Sequence, residues 1–192
     1  MRPIPLASSR VAALALVATL CAVGCGNGSD ESTAPKTVTK RFDALADTYV
    51  RSNDARTHFG RNHELIIDAV PTVRAYLRFE PFGVSGRIVR ATLRLYSLTT
   101  SGDGFQVRAT RRPWREATLS FRDAPGAGGI VALSGPLDQD AWKSIDVTSY
   151  ARSHPTTLDL ALVGTGETQL ALASRESDRP PQLVVETRAS AS

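Results

Sequence analysis

Cysteine is nearly absent: Cys21 and Cys25 are the only two in 192 residues. Two cannot staple a small disulfide scaffold or build a four-cysteine zinc site. Three histidines leave little for imidazole chemistry, and His58 and His63, separated by a glycine turn, make a poor metal pair. Catalytic signatures are missing too. There is no G-x-S-x-G, H-E-x-x-H, P-loop or dinucleotide fingerprint. Glu116 and Asp123 are a carboxylate pair to weigh for glycoside hydrolysis, but the sequence shows no suitable separation between them. Charge of one sign is also lacking once it is located. The formal +4 of the chain falls to +1 between Phe42 and Arg188, where 18 basic residues face 17 acidic ones. That balance, with no recognised binding motif, argues against a nucleic-acid partner.

No apolar run is long enough for a membrane-spanning helix, which needs about 20 residues. The longest, Val11 to Val23, has 13 and follows Arg2 and Arg10, as in the core of a signal peptide. Ala22-Val23-Gly24-Cys25 then matches a bacterial lipobox, except that alanine replaces the usual leucine. We expect a signal peptide over 1–24 and a lipidated Cys25, the alternative being plain cleavage near Gly24. The segment 26–40, GNGSDESTAPKTVTK, is too polar to bury a core, so 25–41 reads as anchor and tether. The folded domain is expected over 42–188, with a tail at 189–192.

Within that domain, period two dominates. Val73-Arg74-Ala75-Tyr76-Leu77-Arg78-Phe79-Glu80 alternates apolar and polar, as do 89–96 and 105–110. Shorter runs follow at 144–147, 158–163, 169–173 and 183–186, separated by glycine and proline turns. One short helical turn is expected over 147–152, with Thr148 as its cap. The pattern predicts an all-β, jelly-roll-like antiparallel sandwich of about nine or ten strands. Its core is expected to hold Leu77, Phe79, Leu93, Leu95, Phe105, Val107, Leu160, Leu162, Leu170, Leu172, Leu183 and Val185.

Several stretches carry a family resemblance. Ala46-Asp47-Thr48-Tyr49-Val50-Arg51-Ser52 with Thr57-His58-Phe59-Gly60 resembles the opening motif of DNRLRE domains, also classed as carbohydrate-binding module family 96. The likeness continues through Trp114-Arg115-Glu116, Thr118-Leu119-Ser120-Phe121 and Ala124-Pro125-Gly126. It closes with Ile145-Asp146-Val147-Thr148-Ser149, Ser174-Arg175-Glu176 and Arg179-Pro180-Pro181-Gln182-Leu183. Phe59 and Phe121 depart from it, where tyrosine and tryptophan are usual. The resemblance implies a jelly-roll-like sandwich in an exported bacterial protein, with polysaccharide binding as its role. It also implies a structural salt bridge for Glu116, in the tryptophan-containing turn, instead of a catalytic part.

The residues themselves suggest where a glycan would sit. If Leu77 and Phe79 point inward, Arg74, Tyr76 and Arg78 point outward; the same parity turns out Arg90, Arg94, Tyr96 and Arg108. Were these strands in one sheet, that face would offer guanidinium forks for hydroxyls or uronate carboxylates and two phenols for stacking. The plain alternative is a solvated face with arginine stems over apolar surface. Trp114 and Trp142 are either sugar platforms or buried anchors. Asp47, Asn62 and Asp146, with Asn53 and Asp54 nearby, are candidate oxygen ligands for a structural calcium, against the ordinary role of such residues in turns. The expected protein is an exported, lipid-anchored module that binds polysaccharide or cell-wall glycan without cleaving it. A structural or adhesive surface module contacting protein or cell wall is the alternative, and a polysaccharide-cleaving enzyme the third reading.

Overall fold

A strand that alternates apolar and polar side chains has one face to bury and must find a second layer. The computed structural model describes residues 36–189, so the expected signal peptide, Cys25 and most of the tether lie outside the described residues. Eleven strands form two antiparallel sheets. The six-stranded sheet contains β1 (Thr37–Asp43), β3 (Glu64–Ile67), β5 (Arg87–Ser97), β8 (Ala141–Asp146), β10 (Leu170–Ala173) and β11 (Gln182–Arg188). Its order is β1-β11-β5-β10-β3, and β8 also pairs with β5. The five-stranded sheet runs β2 (Ala46–Arg51), β4 (Val73–Phe79), β9 (Leu158–Gly164), β6 (Phe105–Thr110) and β7 (Ala127–Leu133).

Between the sheets lies the main core. All twelve side chains expected inside are there, and Tyr49, Leu65, Ile67, Val73, Ile145 and Leu158 join them. Residues 37–41, assigned to the tether, instead form most of β1. Their exposed, largely polar side chains belong to an edge strand, whose backbone pairs with β11 from Thr37↔Arg188 to Asp43↔Gln182. The glycine-containing stretch 127–133 is likewise a strand, the irregular edge strand β7, which pairs with β6 across register shifts.

The short helix α1 spans Thr148–Ser153, but Thr148 is not its cap. Asp146 Oδ1 accepts the Thr148 N–H at 2.8 Å, while Thr148 Oγ1 accepts the backbone N–H of Ala91 at 2.9 Å. The hydroxyl therefore ties the helix to β5. The bonds to Thr148 hold the exposed Asp146 carboxyl below its usual range.

A second, smaller core lies on the outer face of the five-stranded sheet. Residues 111–126, between β6 and β7, lie against it. Trp114 and Leu119 pack on Val50, Tyr76 and Ala161, with Phe121 and Ala124 at the margin. Tyr76 is 0% exposed and donates its hydroxyl to Pro125 O at 2.8 Å. This satisfies the one polar atom of a phenol otherwise surrounded by apolar groups.

Candidate functional site

The expected arginine–tyrosine face does not exist as one surface. β4 and β6 belong to the five-stranded sheet and β5 to the six-stranded one, so the residues divide between two sheets. Arg74, Tyr76 and Arg78 do turn away from the main core, as parity requires, but the 111–126 segment occupies that face. Tyr76 is under it, and burial pushes its phenol pKa up. Arg74 lies 5.2 Å from the Phe121 ring centre, and Arg78 lies 5.1 Å from that of Trp114 while pairing with Asp159 at 2.8 Å. Arg108 donates to Gly128 O at 2.9 Å and to Gln106 at 2.7 Å, which ties β6 to β7. These four residues hold the cover and the edge in place.

Arg90, Arg94 and Tyr96 share the other outer face, that of β5 in the six-stranded sheet. The register places Trp142 beside Tyr96, Ser144 and Gln182 on either side of Arg94, and Glu186 beside Arg90. Arg90, Ser144 and Asp146 are exposed, and Thr92, Arg94, Trp142 and Val184 are half-buried. Tyr96, expected outward and available, is instead buried, only 6% exposed, because Trp142 and Arg179 pack over it, and Gln182 is buried at 7%; the face is open to solvent around these two.

At its centre is a compact aromatic–arginine cluster. Trp142 and Tyr96 meet edge to face, with ring centres 5.5 Å apart. Arg94 lies 4.7 Å from the Trp142 ring centre and donates to Gln182 Oε1 at 3.3 Å. Arg179, from the loop before β11, lies 4.1 Å from the Tyr96 ring centre, and the Tyr96 hydroxyl donates to Asp140 O at 2.8 Å. Stacked guanidinium groups keep N–H donors at their edges, free to meet oxygen ligands in the ring plane. A cleft of about 380 Å³ adjoins the cluster, lined by His63, Glu64, Leu98, Asp140 and Asp178 as well as Tyr96 and Arg179. Of the two tryptophans, Trp114 is thus a buried anchor and Trp142 a surface one. Sequence reasoning named Trp142 but had no reason to join it to Arg94, Gln182 and Arg179.

The second constellation is acidic. Asp47, Glu116 and Glu176 place one carboxylate oxygen each within 4.8 Å of the others. Asp47 is 1% exposed; its Oδ2 accepts the Arg175 N–H at 2.8 Å and its own N–H donates to Glu116 at 3.0 Å. Arg175 pairs with Glu116 at 3.2 Å and with Glu176 at 3.3 Å, so its guanidinium serves two carboxylates while its backbone N–H serves Asp47. A methyl at Gly60 would sit 2.6 Å from Glu116 Cγ, so that glycine lets Glu116 close in. Burial, opposed by the Arg175 N–H and reinforced by Glu176 and Glu116, pushes Asp47 up to about 8.

Oxygen-only donors suit a hard cation such as calcium, and these are the residues that could hold one once Asp47 gives up its proton. Asn62 lies alongside, its carbonyl accepting the hydroxyl of Ser174 and its amide donating to Tyr49 at 2.9 Å. Asp146, expected in this set, is instead at the end of β8, occupied at the start of α1. Asp54 accepts the Thr57 hydroxyl in a local turn. His58 and His63 line different openings, His58 beside Glu116 and His63 beside Tyr96. Glu116 forms the expected salt bridge, and Asp123 accepts from Ser120 at 3.0 Å.

A family model described as carbohydrate-binding module family 96 matches residues 38–187. A search of curated proteins finds no match.

Proposed function

Because the chain belongs to carbohydrate-binding module family 96, we propose that it binds polysaccharide, without cleaving it, on the outer face of the six-stranded sheet. The observation that carries this reading is the accessible trio of Trp142, Arg94 and Arg179, packed over the buried Tyr96 on that face. The half-buried Trp142 ring takes the CH face of a sugar ring, while Arg94 and Arg179 offer hydrogen bonds to hydroxyls or to a uronate carboxylate. The Asp47, Glu116 and Glu176 cluster has a supporting role in this reading: it holds a structural calcium that ties β2 to the 111–126 cover and to the loop before β11.

The test is affinity electrophoresis and calorimetry of the full chain against neutral and uronate-containing polymers. Trp142→Ala is expected to weaken binding by about thirtyfold, the loss of about 2 kcal/mol typical of an aromatic anchor. Retention of no polymer by the wild type, or full affinity in Trp142→Ala, overturns the reading. Calcium is expected to raise the melting temperature of the wild type and to leave Asp47→Asn unmoved.

The lipobox and the polar 26–36 stretch support an exported protein held at a membrane through Cys25. Membrane fractionation of the full chain beside Cys25→Ser tests this, and an unchanged distribution rejects it.

A further inference from the structure

We propose a second glycan site, distinct from the outer face, in the cleft between the β1–β2 turn and the β4–β5 loop; it takes a neutral, hydroxyl-rich sugar ring. Phe82 is the platform. Its side chain is 73% exposed, next to Leu45 at 50%, while Phe42 is half-buried beside them. Large apolar side chains gathered at one opening mark a contact surface more often than isolated exposed ones do. The opening measures about 430 Å³, within the roughly 300–1,000 Å³ of small-molecule sites and small for a folded partner.

Backbone hydrogen bonds fix the two segments that carry these side chains before any ligand arrives. Leu45 N–H donates to Arg78 O and Ala44 N–H to Pro181 O, both at 2.9 Å. On the facing loop, Phe82 N–H donates to Glu80 O at 2.9 Å. Gly83 follows at φ +66°, a left-handed turn that favours glycine, and its carbonyl accepts the Lys40 ammonium. A pinned platform loses less conformational freedom on binding.

The charges select the sugar. Asp43 and Glu80 line the cleft. Glu80 has no side-chain hydrogen bond or ion pair among the described residues, and Asp43 has only a loose one to Arg41 at 4.0 Å. Arg175 also lines the cleft, but its guanidinium is engaged by Leu45 O, Glu116 and Glu176, and nearby Lys40 is engaged by Gly83 O. Carboxylates accept from sugar hydroxyls in short, charge-assisted bonds, but repel a uronate or a phosphate. Ring stacking on Phe82 with hydroxyls on Asp43 and Glu80 therefore fits a neutral sugar. This differs from the arginine-rich outer face and depends on no residue of it.

Calorimetry on the full chain with cellohexaose, xylohexaose and mannohexaose, beside an oligogalacturonide, tests the inference. Phe82→Ala is expected to weaken the best neutral ligand at least tenfold, to leave uronate binding unchanged and to keep the melting temperature, since the side chain is exposed. Phe82→Tyr should restore the neutral affinity, and Glu80→Gln should lower it. No neutral binding by the wild type, or unchanged neutral affinity in Phe82→Ala, overturns the proposal. Loss of both ligand types in Phe82→Ala also overturns it, because one shared site would then serve both. If Trp142→Ala leaves neutral and uronate binding intact while Phe82→Ala abolishes the neutral binding alone, the outer-face reading fails and this one stands.

Discussion

Replacing Asp47 by asparagine should convert a pH-sensitive domain into a pH-insensitive one. The asparagine side chain retains an oxygen for the Arg175 N–H, now 2.8 Å from Asp47 Oδ2, but carries no charge into the cluster with Glu116 and Glu176. Burial raises the folded-state pKa of Asp47 from 3.8 to about 8. At about 1.4 kcal/mol per unit, a rise of about four units makes about 6 kcal/mol of stability depend on pH. The folded chain holds this proton more tightly than the unfolded chain does. Its contribution is thus fully present below pH 3.8 and is lost as pH rises through about 8. Against a typical domain stability of about 5–15 kcal/mol, that is a large fraction. The assay is urea unfolding in chelator between about pH 4 and about pH 9, with the variant subtracted so that other titrating groups cancel. With m at about 2–3 kcal/mol/M, the wild-type midpoint should fall by about 2 M relative to the variant. Parallel curves for the two proteins across this range would refute the reasoning. So would a difference of opposite sign, which would mean that Arg175 outweighs burial.

The cover on the five-stranded sheet gives a second test. Trp114→Ala should cost about 3–5 kcal/mol by chemical denaturation, as for other buried aromatics, and a loss below about 1 kcal/mol would deny the 111–126 segment its structural role. Tyr76→Phe leaves Pro125 O without its donor and should cost about 1–2 kcal/mol, measured the same way. Arg78 and Arg94 should behave oppositely under alanine substitution. Arg78→Ala lowers the melting temperature and spares glycan affinity, whereas Arg94→Ala weakens affinity and spares the melting temperature; one shared phenotype would restore the single face.

Alternation made the main core legible to the residue, because period two alone decides which side of a strand meets the second layer. It could not say which strands share a sheet. Arg78 and Arg94 therefore looked like neighbours, although β4 and β5 lie in different sheets. Outward parity also failed to mean exposure at Tyr76, and a cue was present. Leu158-Asp159-Leu160-Ala161-Leu162-Val163 places Ala161 and Val163 at outward positions, the mark of a strand with apolar contacts on both faces. The strand β1 escaped notice because an edge strand needs backbone partners more than apolar side chains, and Thr37 to Asp43 supplies mainly those. The acidic cluster draws Asp47, Glu116 and Glu176 from three distant segments, so no spacing rule could gather them. Asp146 matched them in type but was needed at the start of α1.

The pairing of Thr37 with Arg188 has a mechanical meaning. The two ends of the folded domain leave it side by side, so tension between them opens the β1–β11 ladder one rung at a time rather than shearing all its bonds together. Six of the seven β1 residues are exposed and Phe42 is half-buried, so little hydrophobic contact resists peeling. Were the domain held at Thr37 and loaded through β5 and β8, this ladder would lie between anchor and load. Under such a load, peeling the seven residues of β1 would release about 23 Å of chain, at about 3.3 Å per residue. The edge strand would then act as a fuse, lengthening the link while the rest of the sandwich keeps its pairing.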